Sequence, residues 1–154
     1  MPEDTVFYLA YGSNADPERF RSRVGPWISR RAARLDGHKL RFAASVQSEG
    51  GGGAVIDEDP DGSVDGVLYE ITIEQMEAMD REEFDPSRDI SRVGRRLTVR
   101  VETDEGAVEA ECYTVRDDGG RRAPSERYLG HILRGLESAG HPPEALERVR
   151  RAAG

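Results

Sequence analysis

A chain of 154 residues that is 36% hydrophobic and 34% charged holds enough apolar material for one small core beneath a heavily ionised surface. Its formal net charge of -8 repels phosphate backbones and anionic lipid, so neither nucleic acid nor a membrane surface is an expected partner. The single cysteine, Cys112, excludes an internal disulfide, no stretch approaches a membrane span, and the acidic N-terminus lacks the order of an export signal; the expected compartment is the cytoplasm.

The first apolar run, Val6 to Ala10, predicts a short buried strand that ends at the turn Tyr11-Gly12-Ser13-Asn14. Asp16-Pro17 then supplies an N-cap and a proline at the first helical position, which predicts a helix over 17–23. Residues 29–35 and 39–44 read as two strands, with Asp36-Gly37 as the hairpin turn between them. A glycine run at 50–53 leads into a strand at 54–56. The acidic segment 57–62 reads as a turn into a further strand at 64–71.

Thr72, with Gln75 three residues on, forms a capping-box pattern, and Ile73, Met76 and Met79 give the helix that follows one apolar face. A charged loop from about 81 to 95 precedes strands near 96–103 and 107–115. Ser125 opens a helix whose Tyr128, Leu129, Ile132, Leu133 and Leu136 recur at helical spacing, and Pro142-Pro143 precedes a last helix carrying Leu146 and Val149. There are no repeats and no linker, so residues 1–154 are expected to form one domain. Many short strands and a few helices, without βαβ alternation, predict an α+β domain around a closed or nearly closed mixed sheet.

The familiar chemical constellations are missing. His38, His131 and His141 have no second histidine or cysteine at ligand spacing, so no metal site is expected. Asp57-x-Asp59-x-Asp61-Gly62 opens like a calcium loop but carries Pro60 inside it and Leu68 where the bidentate glutamate belongs; a solvated hairpin turn is expected instead. Cys112 alternates with Val108, Ala110 and Thr114 along one strand face, the pattern of a packing thiol. No nucleophile elbow, P-loop or dinucleotide fingerprint is present, and the arginine pairs 95–96 and 121–122 read as solvated charge.

Two features stand out. In Tyr11-Gly12-Ser13-Asn14 a glycine lets backbone N–H groups approach a ligand, while serine and asparagine add a hydroxyl and an amide; the same turn also serves simply to end a strand. In Met79-Asp80-Arg81-Glu82-Glu83 a helix ends in adjacent carboxylates.

Taken in order, the motifs resemble a known family. They are Tyr8-Leu9-Ala10-Tyr11-Gly12-Ser13-Asn14, Ala33-x-Leu35-x-Gly37-His38-x-Leu40-x-Phe42, Gly53-Ala54-x-Ile56, Val64-x-Gly66-Val67-Leu68-Tyr69, Met79-Asp80-x-x-Glu83, Val99-x-Val101, Tyr113, and Pro124-Ser125-x-x-Tyr128-x-x-x-Ile132-x-x-Gly135. From about Val6 to Gly135 the chain is similar to the γ-glutamyl cyclotransferases in the broad sense that includes AIG2-like proteins and γ-glutamylamine cyclotransferases.

That resemblance implies a small mixed β-barrel with flanking helices and a cofactor-free reaction on a small-molecule γ-glutamyl substrate. The substrate's own α-amine attacks its γ-carbonyl, forms 5-oxoproline and expels the attached amine, so no protein nucleophile is required. Ala10, Tyr11, Gly12, Ser13 and Asn14 match the family's substrate loop. Tyr128 matches a tyrosine facing the substrate, although its spacing equally fits the core of its helix. Glu83 matches the catalytic glutamate, with Glu82 as its rival. The alternatives are a non-catalytic binding or regulatory protein of the same fold and a γ-glutamyl amide hydrolase or transamidase.

Two positions depart from the family pattern: Phe84 stands where many members have glycine, and Gly94 where many have tyrosine. For the charged loop 85–92, one expectation puts Arg88 or Arg92 on a substrate carboxylate; the other leaves it exposed to solvent.

Overall fold

The computed structural model describes residues 4–48, 50–83, 93–116 and 120–154. Five strands, β1 (Thr5–Ala10), β2 (Ser29–Ser48), β3 (Gly51–Thr72), β4 (Val93–Thr103) and β5 (Gly106–Arg116), close into a barrel in the order β1-β3-β2-β4-β5. Four of the five pairings are antiparallel; β5 runs parallel to β1, with Tyr8 opposite Glu111, and this contact closes a mixed sheet. Helices α1 (Pro17–Val24), α2 (Ile73–Glu83), α3 (Glu126–Ser138) and α4 (Pro143–Ala153) flank it. The expected α+β barrel with flanking helices is the fold observed.

Alternation along the strands divides the core in two, because successive side chains point to opposite faces of a sheet. Leu9, Leu35, Val64, Leu68, Val101, Ala110 and Cys112 belong to a cluster drawn from all five strands, the barrel filling. Tyr8, Ala10, Val67, Tyr69 and Ile71 alternate with them and join Phe20, Met76, Met79, Ile132, Leu136 and Val149 from the helices. Residues 64–69 are therefore buried on both faces, which explains a run that alternates too weakly for a half-exposed strand.

Local helix signals act as the sequence predicts. Asp16 caps α1 by accepting from the Glu18 N–H at 3.1 Å. Thr72 and Gln75 exchange reciprocal bonds of 3.0 and 3.1 Å at the start of α2, and Ser125 accepts from the Tyr128 N–H at 3.1 Å. Each satisfies donors that a helix start would otherwise leave unpaired.

Two expected turns are not turns. Residues 29–35 and 39–44 do not fold onto each other at Asp36-Gly37; both lie in the single strand β2, paired along its length with β3. Gly37 does take the left-handed conformation, at φ 80°, but uses it in a bulge where the pairing slips from Asp36 opposite Ser63 to His38 opposite Glu58. The acidic segment 57–62 is likewise within β3. Asp57 lies opposite Lys39 and takes a bidentate pair from Arg41 at 2.7 and 3.1 Å, while 59–62 form the excess opposite Gly37. One left-handed glycine serves a turn or a bulge equally well; the long partner strand decides between them.

Candidate active site

The site is built where β1 ends. Ala10 is the last residue of β1, buried and opposite Val67. Beyond it the chain makes a 3-10 turn over Ser13–Ala15, closed by bonds from the Ala15 N–H to Gly12 O (3.0 Å) and from the Asp16 N–H to Ser13 O (3.1 Å). Among the described residues, the N–H groups of Gly12, Ser13 and Asn14 donate to no protein acceptor.

This loop is held rigidly from below. The Tyr69 hydroxyl donates to Asn14 O at 2.8 Å, and Arg30 donates to Ala15 O at 2.8 Å and to Gly135 O at 3.1 Å. The Tyr11 hydroxyl donates to the Tyr113 carbonyl. Gly135 lets α3 press onto the turn, since a Cβ there would lie 2.3 Å from the Ala15 carbonyl. Phe20 stacks on Tyr69 at 4.0 Å between ring centroids, with Tyr8 stacked beside both.

The Asn14 side chain is 5% exposed and its amide faces α2. Nδ2 lies 3.1 Å from the Tyr8 hydroxyl and 3.5 Å from both Met79 Sδ and Glu83 Oε1. Asn14 Oδ1 is buried and has no hydrogen-bond partner among the described residues, an acceptor whose desolvation they leave uncompensated. Glu83 is the last residue of α2; its side chain is 12% exposed, and Arg23 of α1 brings a guanidinium nitrogen to 3.9 Å from Oε1. The structure thus brings Glu83 to the loop.

Tyr128 approaches the loop from α3. Its hydroxyl accepts from the Ala54 N–H at 3.1 Å and would lie 3.1 Å from a Cβ on Gly12. Gly12 has φ -104°, outside the left-handed region, and what a side chain there would meet is this close approach. Ser13 is half-buried at the start of the 3-10 turn. Ala10 to Asn14, Tyr128 and Glu83 therefore converge on one end of the barrel. Phe84, Arg88 and Arg92 lie outside the described residues; Gly94 sits in β4, opposite Val115.

Burial dominates the electrostatics of the surrounding tyrosines. It pushes the phenols of Tyr8, Tyr11 and Tyr113 well above the ordinary range, reinforced at Tyr8 by the charge of Glu83 and at Tyr113 by the bond to Asp80. Tyr69 is pushed up to about 12, again chiefly by burial and against the opposing bond from Arg30. These four remain neutral hydrogen-bond donors at physiological pH. Burial also pushes the Cys112 thiol up to about 12, in the barrel cluster that also holds Tyr11, which disfavours the thiolate a nucleophile needs.

The loop and Glu83, singled out in the sequence, lie side by side here, and the residues that hold them together, Tyr8, Arg23, Tyr69 and Asp80, were not singled out as site residues. Tyr8 and Tyr69 carry a signal after all, because each sits on the helix-facing register of its strand, where a hydroxyl needs a partner. Arg23 carries none, since its partner is 60 positions away in the sequence.

Comparison with known proteins bears on the family and the fold. An AIG2-like family model matches residues 63–148, more than half of the chain. A human gamma-glutamylcyclotransferase is 30% identical over 153 residues, spanning 96% of this chain and 79% of that protein. The solved structure of a gamma-glutamyl cyclotransferase superposes with a TM-score of 0.80 at 27% identity over 96% of this chain and 87% of its own. YkqA from Bacillus subtilis gives 0.78 at 28% identity, with this chain spanning 97% of itself but 54% of YkqA. The chain therefore belongs to the γ-glutamyl cyclotransferase family in its broad, AIG2-like sense, and is an enzyme of that class.

Proposed function

We propose that this enzyme cyclises a γ-glutamyl amide or γ-glutamylamine to 5-oxoproline and releases the attached amine or amino acid. The observation that carries this is the approach of Asn14, the last residue of the loop, to Glu83 at the end of α2. A carboxylate beside the side-chain amide of a loop residue, in a loop whose own N–H groups are adjacent in sequence, supports a reading in which proton transfer and oxyanion stabilisation are combined.

The steps balance without water or a protein nucleophile. The substrate's α-nitrogen forms a bond to its own γ-carbonyl carbon, and the carbonyl π pair moves onto oxygen. Glu83 takes the proton that nitrogen loses. The oxyanion then collapses, the bond to the departing nitrogen breaks, and Glu83 returns the proton to that nitrogen. One carboxyl group serves as base and then acid. Holding the glutamyl chain curled makes the attack intramolecular, worth roughly 7–11 kcal/mol when orientation is good. The Gly12, Ser13 and Asn14 N–H groups supply donors for the developing oxyanion, and such donors are each worth about 3–4 kcal/mol in comparable sites. The Asn14 Oδ1 acceptor is suited to an N–H of the attacking amine.

The test is chromatographic detection of 5-oxoproline from a panel of γ-glutamyl amino acids and γ-glutamylamines, with wild type and Glu83→Gln side by side. Product from wild type alone is the expected result. Free glutamate in place of 5-oxoproline would make the protein a hydrolase, and neither product, with ligand-dependent stabilisation retained, would make it a binding protein.

A further inference from the structure

One buried tyrosine is given no task by this reaction. Tyr113 lies on β5, 8% exposed, on the helix-facing side of the sheet. Its hydroxyl donates to Asp80 Oδ1 on α2, and its backbone carbonyl accepts the Tyr11 hydroxyl at the start of the loop. The second Asp80 oxygen lies 2.7 Å from an Arg96 guanidinium nitrogen on β4, and Arg96 Nε lies 3.2 Å from Glu111 Oε1. Asp80 is three residues before Glu83, so their side chains share one face of α2 about one turn apart.

A general base misplaced by about 1 Å can cost a reaction about 100-fold. Here the turn of α2 that carries Asp80 and Glu83 is fastened to the barrel wall through Asp80, and the residue that fastens it also holds Tyr11. We infer that Tyr113 is a positioning residue: through its hydroxyl it fixes the turn that carries Glu83, and through its carbonyl it fixes the loop, so the carboxylate and the donors are set against one common reference. The inference rests on the assignment of Glu83 above. It predicts an effect on the chemical step greater than on substrate binding, because a misplaced general base costs turnover while the loop still holds the glutamyl group.

The experiment compares wild type, Tyr113→Phe, Asp80→Ala and the double variant for 5-oxoproline formation and, by hydrogen-exchange mass spectrometry, for protection of the 80–83 amides. Tyr113→Phe removes the hydroxyl and leaves the carbonyl bond to Tyr11 in place. The expected result is a kcat about 10- to 100-fold lower with KM within about threefold, the same loss in Asp80→Ala, no further loss in the double variant, and faster exchange at 80–83 in all three. A Tyr113→Phe enzyme with wild-type kcat overturns the inference, as does additivity of the two losses. Should wild type itself form no 5-oxoproline, the reaction assignment fails and exchange alone decides: unchanged protection at 80–83 in Tyr113→Phe overturns the coupling, and lost protection upholds it.

Discussion

Asn14 Nδ2 and Glu83 Oε1 lie 3.5 Å apart across 69 residues of sequence, a contact made by one carboxylate of the adjacent pair Glu82 and Glu83. Successive residues on a helix point about 100° apart, so Glu82 and Glu83 cannot both face the loop. Glu83→Gln is expected to fold normally and to lose at least about 100-fold in kcat, the scale of a general acid–base group, whereas Glu82→Gln stays within about threefold of wild type. Steady-state kinetics on the two variants checks this, and the opposite ranking would reassign the base.

Gly12 and Tyr128 are matched in size. Gly12→Ala puts a Cβ 3.1 Å from the Tyr128 hydroxyl, closer than either side accepts without a shift. The expected outcome is a KM raised about 10-fold and a stability loss of about 1 kcal/mol. Tyr128→Phe removes the crowded oxygen but also the acceptor of the Ala54 N–H, so it should cost less stability in the Gly12→Ala background than in wild type. Denaturant titration of the single and double variants measures the difference.

Gly135 acts at a distance from the chemistry. A methyl there would meet the Ala15 carbonyl at 2.3 Å and the Ala15 Cβ at 2.6 Å, and neither is the end of a flexible side chain that could swing away. Gly135→Ala is expected to cost about 1–3 kcal/mol and to lower the melting temperature by about 3–10 °C. Activity should fall too, because Ala15 adjoins Asn14. Calorimetry and turnover on one preparation test both.

Acid should loosen the loop's neighbour, Asp16. Burial by itself raises this carboxyl, but the bonds from His131 at 2.8 Å and from the Glu18 N–H, with the charge of Arg134, outweigh it and hold the carboxyl below the usual range. A carboxyl depressed in the folded state contributes stability that is complete above its unfolded value of about 3.9 and is lost as pH falls through the folded value. Asp57, held down first of all by its bond from Arg41, contributes in the same direction. The melting temperature is expected to be flat from pH 7 to about 5 and to fall below about 4. Asp16→Asn, which still caps α1 but does not titrate, should show a shallower fall.

Cys112 offers a negative control. Its thiol is fully buried and pushed up to about 12, so thiol reagents should label it only after unfolding. Cys112→Ala should keep its kcat and lose about 1 kcal/mol of stability. Loss of turnover at full stability would reopen the question of a protein nucleophile.

Much of this protein is determined locally. The Asp16-Pro17, Thr72-Gln75 and Ser125 signals specify three helix starts because a cap and the donors it satisfies lie within three residues of each other. The Tyr11-Gly12-Ser13-Asn14 turn is equally legible, since a strand end, a glycine and two small polar residues are adjacent in the sequence. The errors arose where local chemistry is degenerate. Gly37 takes the left-handed conformation that a turn also uses, and only the pairing of the 20-residue strand β2 with β3 on both sides of it selects the bulge. The same holds for function. The sequence carries Asn14, Glu83, Arg23 and Tyr113, but their bonds join strands, turns and helices that meet only when β5 closes on β1. A hydrogen bond is satisfied by distance and direction in space, and neither quantity is set until the barrel is shut.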